Sequence, residues 1–306
     1  MSNSKVAGVF AAVPTAYSAD YKPDIDLFLE HCNWVLDSGC DGVNVLGTTG
    51  EANSQSLQAR ASIMRAAAES NLDRGGLMVG TGTPSLHETI ELTQLAAGLG
   101  YDAALVLPPY YYKPVTDDGL FEFFARVIGA VDDTDIGIYL YNFPQLTGLT
   151  FSTELVERLI AAFPRQMCGM KDSSGDMPYT ENMAATFAGR FDVFPGSEAP
   201  LPDAVEKGYA GCISASVNAT AVITAKVWQT REQVSAEDAA ELRALRGAIQ
   251  AVPIVAGAKM LTARRTGREE WRRVLPPLTE LNAEQEQSLV DVAERLGFSD
   301  VAGEVD

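Results

Sequence analysis

The stretch GVNVLGTT, residues 42–49, is followed by an amphipathic segment at 54–70 and then by a short apolar run at 77–82. A short and mostly apolar run indicates a strand buried on both faces, as strands are in parallel sheets. The amphipathic segment between two such runs indicates a crossover helix. This strand–helix–strand unit recurs along the chain, and its repetition decides the fold.

Eight strands of this kind are predicted in the first two-thirds of the chain. They cover residues 8–15, 42–49, 77–82, 103–110, 136–144, 167–174, 192–198 and 211–218. The amphipathic segments between them include residues 24–38, 54–70, 85–99 and 153–162. Eight strands with seven intervening helices match a closed barrel, whereas an open doubly wound sheet usually has fewer strands. The sequence therefore predicts an α/β fold, a (β/α)8 TIM barrel with a C-terminal helical extension.

The C-terminal part of the chain has a different pattern. After Ala219 the strand signals end and amphipathic helix dominates, for example at 232–251 and 283–296. We expect one or two helices beyond the eighth barrel helix. The predicted organisation is a barrel over residues 1–225 that carries the active site, with a C-terminal helical region over residues 226–306 packed on it.

Composition excludes several classes of function. The net charge of −18 argues against a nucleic-acid partner, because phosphate binding needs clustered Lys and Arg. No apolar run reaches the roughly 18 residues that a membrane span requires. Residues 1–5 lead directly into a strand-like stretch, so no signal peptide is expected.

The cysteines and histidines predict neither disulfides nor a metal site. Four cysteines without CxxC spacing favour free thiols and a cytoplasmic location. They are Cys32, Cys40, Cys168 and Cys212. The two histidines, His31 and His87, lie in helical segments without the spacing of metal ligands.

Lys171 follows the apolar run MCGM, residues 167–170, and precedes the polar turn DSSGD, residues 172–176. Active sites of barrel enzymes lie at the carboxyl ends of the strands, where this lysine is predicted. Partial burial disfavours the charged ammonium, which makes a neutral amine available to form a Schiff base with a ketone. The alternative is structural, an ion pair with Asp172 or Asp176 at a strand end.

The second predicted strand ends in GTTGE, residues 47–51. Glycines allow a close approach of the backbone, and two hydroxyls with exposed N–H groups suit a small carboxylate. The motif also fits a simple turn that satisfies a strand end.

Tyrosines follow two further strands, as YYY at 110–112 and as Tyr141. A buried tyrosine needs a hydrogen-bond partner, and Thr49 or Tyr111 could provide one for Tyr141. If Tyr141, Thr49 and Tyr111 are linked, protons can pass between water and a site beside Lys171. Core packing explains any one of these tyrosines equally well.

Taken together, these motifs resemble the dihydrodipicolinate synthase / N-acetylneuraminate lyase family of Schiff-base-forming class I aldolases. The resemblance is carried by GTTGE at 47–51, PYY at 109–111, YNFP at 141–144 and GMKD at 169–172. It extends from about residue 6 to at least residue 218. It implies a barrel lyase without metal or organic cofactor, commonly a homotetramer built as a dimer of dimers.

The resemblance also implies roles for particular residues. Lys171 would form the imine with pyruvate or another 2-oxo acid. Tyr141 would relay protons and orient the substrate carboxylate, which Thr48 and Thr49 would bind. Tyr111 matches a tyrosine that, in many members, enters the site from a neighbouring subunit.

Further residues are predicted in the pocket. The resemblance implies that the backbone at Ile213 lines it. Ser173, Ser197, Glu198 and Ser214 would make it polar and suited to hydroxyl groups, which favours a hydroxylated 2-oxo acid such as a sugar-acid derivative.

One departure from the family pattern bears on the substrate. Dihydrodipicolinate synthases show Tyr-Asn-x-Pro-x-Arg-Thr-Gly, in which the arginine holds the carboxylate of aspartate semialdehyde. This chain has YNFPQLTG at 141–148, and an apolar Leu146 cannot replace a bidentate guanidinium. N-acetylneuraminate lyases carry a leucine there, but their acidic pair after the seventh strand is only half matched, by Ser197 and Glu198.

The leading prediction is a lyase that cleaves, condenses or dehydrates a 2-oxo acid through an imine on Lys171. One alternative is an authentic 4-hydroxy-tetrahydrodipicolinate synthase of lysine biosynthesis, in which another residue replaces the missing arginine. The other is a non-catalytic homologue that binds a 2-oxo acid as a sensor or as a structural subunit.

Overall fold

A computed structural model describes residues 6–70, 72 and 75–298, and all eight predicted strands are present in it. They are β1 (Gly8–Ala12), β2 (Gly42–Val45), β3 (Gly76–Gly80), β4 (Ala103–Val106), β5 (Gly137–Asn142), β6 (Met167–Asp172), β7 (Asp192–Pro195) and β8 (Gly211–Ser214). Each strand ends earlier than predicted. In β2 the reason is local, because Leu46 has a positive φ of 55° and turns the chain.

The strands form one parallel barrel. Their order is β7-β6-β5-β4-β3-β2-β1-β8, and every neighbouring pair is parallel. The N–H of Ala210, just before β8, donates to the carbonyl of Val193 in β7 at 3.0 Å, which brings the two ends of the sheet together. The predicted (β/α)8 TIM barrel is confirmed.

The barrel interior is filled by large side chains, and glycines make room for them. Phe10 of β1 is fully buried there. A Cβ on Gly42 would lie 2.3 Å from the Phe10 ring, and one on Gly76 would lie 2.5 Å from it. Both glycines are therefore needed for this aromatic layer, which makes the inside of the barrel a packed core.

Helices alternate with the strands and continue beyond β8. They are α1 (Ile25–Asp37), α2 (Leu57–Ala68), α3 (Leu86–Gly98), α4 (Asp117–Gly129), α5 (Pro144–Thr147), α6 (Thr153–Ala162), α7 (Met177–Thr186), α8 (Ala204–Lys207), α9 (Val217–Gln229), α10 (Ala236–Gln250), α11 (Ile254–Thr266), α12 (Ala283–Ser288) and α13 (Val290–Arg295). Side-chain caps fix several starts, as where Asp24 accepts from the N–H of Leu27 at 3.1 Å. The cap of α6 is Ser152, which accepts from the N–H of Leu155 at 3.0 Å.

The C-terminal region holds four helices in the described residues, where one or two were expected. Pro253 separates α10 from α11, because a proline cannot donate the backbone hydrogen bond that a continuous helix needs. Helix α9 spans residues 225 and 226, where the division from the barrel is predicted, and that division stays a prediction. Helices α10, α11 and α13 share a second apolar cluster with α9. Residues 299–306 of the predicted region lie outside the described residues.

The four cysteines are buried free thiols, as predicted. Burial raises the pKa of Cys32 and that of Cys40, which keeps both thiols protonated. The cytoplasmic location inferred from them stays a prediction. Across the described part of the chain, no single helix is long and apolar enough to cross a membrane, and only α10 and α11, bent by 111°, pass that test as a pair.

Candidate active site

An open cavity of about 460 Å³ lies at the carboxyl ends of the strands. Six of the residues predicted in the site line it, although they come from four strand ends that are far apart in the sequence. They are Thr48, Thr49, Tyr141, Lys171, Ser173 and Ser197. Strand ends thus meet at one edge of the barrel, as the prediction required.

Lys171 is held in β6 beside Tyr141 of β5, its register partner. Its side chain is only 5% exposed, and its Nζ lies 4.7 Å from the centroid of the Tyr141 ring. Among the described residues, no carboxylate forms an ion pair with this amine. Lys171 is therefore a buried amine that faces a cavity and a tyrosine.

The two carboxylates that could have paired with Lys171 have other partners. Asp172 is the next residue in the strand and also lines the cavity, but its oxygens are engaged by other donors. It accepts hydrogen bonds from Asn142 Nδ2 and from Ser174 Oγ, both at 2.8 Å. Asp176 caps α7 and accepts from the N–H of Tyr179 at 3.2 Å. The structural interpretation of Lys171 as half of an ion pair with Asp172 or Asp176 is therefore wrong.

Tyr141 was predicted to form a hydrogen bond with Thr49 or Tyr111. It forms one with Thr48 instead. The distance between Thr48 Oγ1 and Tyr141 Oη is 3.2 Å. The chain turns at Leu46, just before this loop, and the turn directs Thr48 toward β5. Thr49 lines the cavity, whereas Tyr111 is 74% exposed. Within one chain the proposed relay of Tyr141, Thr49 and Tyr111 is thus not assembled.

Glu51 is the last residue of the loop 47–51, and its side chain anchors this loop. Its backbone has a positive φ of 57°. Glu51 accepts from Lys259 Nζ of α11 and from the N–H of Leu275, both at 2.6 Å. Burial lowers the pKa of Lys259 to about 8 and raises that of Glu51. This pair was not predictable from local sequence patterns, because its members are 208 residues apart.

Glu198 was predicted to line the pocket but is fully buried behind it. Its oxygens accept hydrogen bonds from Ser214 at 2.6 Å, Ser216 at 2.8 Å and Thr220 at 3.0 Å. A buried carboxylate needs such donors to replace water, and these donors hold Glu198 away from the cavity. Ser214 is held in the same buried network.

The eighth strand contributes a different residue from the one expected. Ile213 is fully buried among the side chains that fill the barrel. Ala215, after the end of β8, is the residue that lines the cavity. The predicted role of the Ile213 backbone stays a prediction.

One wall of the cavity was not predicted. It comes from the C-terminal region, with Arg246 and Gln250 of α10. Arg246 Nη1 donates to Ser216 Oγ at 2.6 Å. A charged residue in an amphipathic helix normally indicates a solvated face, so only the packing of α10 against the barrel identifies Arg246 as a site residue.

Nothing in the described residues suggests a metal centre. No three His, Cys, Asp or Glu side chains among them come close enough to hold a metal ion.

A parallel (β/α)8 barrel whose strand ends direct a buried lysine and a tyrosine into one cavity has the architecture of Schiff-base-forming class I aldolases. The chain belongs to the dihydrodipicolinate synthetase family, whose sequence model matches residues 5–296. The protein is accordingly a lyase of the Schiff-base aldolase type, which confirms the family resemblance.

Relatives and solved structures agree with this placement. An uncharacterized DapA-like lyase of Chloroflexus aurantiacus is 32% identical over 239 residues, which are 77% of this chain and 78% of that protein. A 4-hydroxy-tetrahydrodipicolinate synthase of Listeria monocytogenes is 32% identical over 272 residues, 86% of this chain and 89% of that protein. The structure is similar to that of YagE, an E. coli prophage protein of the dihydrodipicolinic acid synthase family in complex with pyruvate. The TM-score is 0.87 at 28% identity, covering 95% of this chain and 99% of that one.

Proposed function

We propose that the protein cleaves, condenses or dehydrates a 2-oxo acid through an imine formed on Lys171. The observation that carries the proposal is the environment of this lysine. Its amine is buried, lacks an ion-pair partner among the described residues and faces an open cavity. An amine so placed is suited to attack a ketone.

The neighbours of Lys171 suit the rest of a small 2-oxo acid. The hydroxyls of Thr48 and Thr49 line the same cavity and would bind the substrate carboxylate. The phenol of Tyr141 is held by Thr48 at 3.2 Å and lies beside the amine, where it would transfer protons.

The chemistry follows from these positions. The Lys171 amine adds to the C2 carbonyl to give a carbinolamine, and protonation of its hydroxyl lets that oxygen leave as water. The resulting protonated imine draws electrons from C3. This electron sink allows the bond from C3 to C4 to form or break, or allows a hydroxyl to leave C4 as water after C3 has lost a proton.

The cavity favours a substrate with hydroxyl groups. Ser173 and Ser197 line it and offer their own hydroxyls as partners. The pyruvate bound to the similar E. coli protein supports the 2-oxo acid part of the proposal. The two serine hydroxyls support a hydroxylated chain attached to that part.

A second candidate is the synthase of lysine biosynthesis, the name that the Listeria monocytogenes relative bears. Leu146 argues against this candidate, because it is an exposed apolar residue at the position where those synthases have an arginine. Activity with aspartate semialdehyde would decide between the two. The non-catalytic alternative is weakened by the Tyr141–Thr48 hydrogen bond, because a sensor does not need a positioned proton donor.

We propose that the exposed surface around Tyr111 is covered by a second copy of the chain. Tyr111, Tyr112 and Leu146 are large apolar side chains that are all exposed. They lie on adjacent segments, because a Cβ on Gly148 would be 2.6 Å from Lys113 Cε. In the family resemblance, the tyrosine at this position enters a neighbouring site, and a dimer of dimers is expected.

The imine is tested by intact mass spectrometry after incubation with pyruvate and borohydride. The wild type should gain the mass of one reduced pyruvate adduct, and Lys171→Ala should gain none. A matched control is Lys113→Ala, which removes an exposed lysine and should keep the adduct. A wild type that forms no adduct with any 2-oxo acid would refute the proposal.

Subunit contact is tested by the molar mass in solution and by mixing variants. Tyr111→Phe and Lys171→Ala should each be impaired alone. Mixed oligomers of the two should regain part of the activity if Tyr111 acts in the neighbouring site. A monomer with full activity would contradict this part of the proposal.

A further inference from the structure

The wall that α10 contributes to the cavity contains a cation. The described residues that line the cavity include two basic side chains, Lys171 and Arg246. Arg246 is only 13% exposed at its side chain and lies on the β7 and β8 side of the barrel, next to Ser214 and Ser216. It takes no part in the imine chemistry proposed for Lys171.

The guanidinium of Arg246 is fixed at two of its three nitrogens. Nη1 donates to Ser216 Oγ at 2.6 Å and to Ser214 Oγ at 3.4 Å, and Nε donates to Gln250 Oε1 at 3.2 Å. Nη2 has no partner among the described residues. An arginine held in this way has lost its rotamer freedom in advance, so binding a ligand through Nη2 costs little further entropy.

The charge of Arg246 is balanced by a buried carboxylate. Glu198 Oε2 lies 3.9 Å from Arg246 Nη1, and it is fully buried. Glu198 also accepts from Ser214, Ser216 and Thr220, so it anchors the whole group. Because the pair has no net charge, the position favours a neutral acceptor such as a hydroxyl oxygen over a second carboxylate.

Other groups at this wall are polar too. The Ser197 hydroxyl oxygen accepts from the N–H of Ala199 at 3.2 Å, which leaves its own hydrogen available to a ligand. The Gln250 amide also lines the cavity. With Arg246, these groups can hold more than one hydroxyl of a substrate.

We infer that Arg246 is a specificity-determining residue that donates hydrogen bonds to hydroxyl groups on the substrate beyond C3. The inference rests on the proposed function, in which Thr48, Thr49 and Lys171 hold the carboxylate and the first carbons. The part of the substrate that extends beyond them is then bound by Arg246, Gln250 and Ser197. The substrate class is a 2-oxo acid with a hydroxylated chain.

Reductive trapping with three 2-oxo acids tests the inference. The probes are pyruvate, 2-oxohexanoate and a six-carbon 3-deoxy-2-oxo acid with hydroxyls on its last three carbons. Initial rates are compared at low concentration in wild type and Arg246→Gln. Trapping of the hydroxylated acid should fall by roughly 10-fold or more, because a site built for hydroxyls loses a charged donor. Trapping of pyruvate and 2-oxohexanoate should stay within about 2-fold.

Two further variants keep the test decisive. Arg243 lies on the same helix, and its side chain pairs with Asp203 at 3.0 Å on the surface. The control variant Arg243→Gln should therefore leave all three trapping rates unchanged. The double variant Glu198→Gln with Arg246→Gln removes both charges together. It should show the same loss of selectivity if the single variant does not fold.

The outcomes are distinguishable. Equal loss with all three acids would overturn the inference and leave a purely structural role for Arg246. An unchanged rate with the hydroxylated acid would overturn it as well. A wild type that traps none of the acids would refute the proposed function, and the inference with it.

Discussion

Among the described residues, two lysines are buried against a tyrosine ring, and one of the two lines the cavity at the strand ends. Lys171 Nζ lies 4.7 Å from the centroid of Tyr141, and Lys259 Nζ lies 4.4 Å from that of Tyr17. Lys259 is paired with Glu51 at 2.6 Å, whereas Lys171 has no such pair in the described residues. Burial and an aromatic neighbour therefore do not distinguish a nucleophile; an unpaired amine that faces a cavity does.

The two lysines act on the same loop from different sides. Lys259 holds Glu51, and thereby the segment that carries Thr48 and Thr49. Burial lowers the pKa of Lys259 to about 8 even with Glu51 beside it. Such a buried pair is a weak source of net stability, but the loss of one partner leaves an uncompensated charge. In the proposed mechanism, Lys259 is thus a positioning residue and Lys171 the catalytic one.

The largest effect is expected for Lys171→Ala. Removal of the nucleophile should lower turnover by roughly 10⁴-fold or more, because no other group can form the imine. Stability should change little or rise, because a buried amine is removed without leaving a charge unpaired. Steady-state rates and urea unfolding check both parts. If Lys171→Ala keeps a tenth of the wild-type activity, Lys171 is not the nucleophile and the proposed difference between the two lysines is wrong.

Tyr141→Phe should slow turnover by roughly 10²–10⁴-fold, the usual contribution of a positioned proton-transfer group. The aromatic ring beside Lys171 is kept, so adduct formation in the presence of excess borohydride should show that the pocket is intact.

Thr48→Val removes the partner of Tyr141 and should also lower kcat. Its matched control, Thr49→Val, should act mainly on KM, and the reverse pattern would restore the role first assigned to Thr49.

Lys259→Met should cost about 3–5 kcal/mol of stability, because it leaves Glu51 buried without its cation. The double variant Glu51→Gln with Lys259→Met should recover most of that loss. Urea unfolding measures both. An equal loss in the single and double variants would show that packing, and not the unpaired charge, sets the cost.

A smaller effect is expected from His31, another buried base, which links α1 to the C-terminal region. Its Nε2 bonds with Asn218 at 2.8 Å and its Nδ1 with Arg265 at 3.0 Å. Burial, and then the charge of Arg265, lowers the pKa of His31 to about 3. The unfolded chain takes up a proton below about pH 6.5 and the folded chain does not, so stability falls with decreasing pH in that range.

The loss at pH 5 should be roughly 2 kcal/mol relative to neutral pH. The variant His31→Gln should flatten this slope, as measured by urea unfolding at several pH values. His87 is exposed, and His87→Gln should leave the slope as it is in the wild type. Equal slopes in all three proteins would show that other groups cause the acid sensitivity.

Local pattern was enough to predict the fold and the position of Lys171. Short apolar runs gave eight strands, and the ends of parallel strands necessarily meet at one edge. The direction of a side chain within a loop was not predictable from the sequence. For this reason Thr49, and not Thr48, was predicted as a hydrogen-bond partner of Tyr141, and Glu198 was predicted to line the cavity. Arg246 was missed because its place depends on how α10 packs against the barrel.

In the proposed mechanism Lys171, and not Lys259, is the nucleophile. This assignment is tested most directly by digesting the wild-type protein after trapping with pyruvate and borohydride, and by mapping the modified peptide by mass spectrometry. We expect the reduced pyruvate adduct on the peptide that contains Lys171 and an unmodified peptide around Lys259. An adduct on Lys259, or one spread over several lysines, would contradict it.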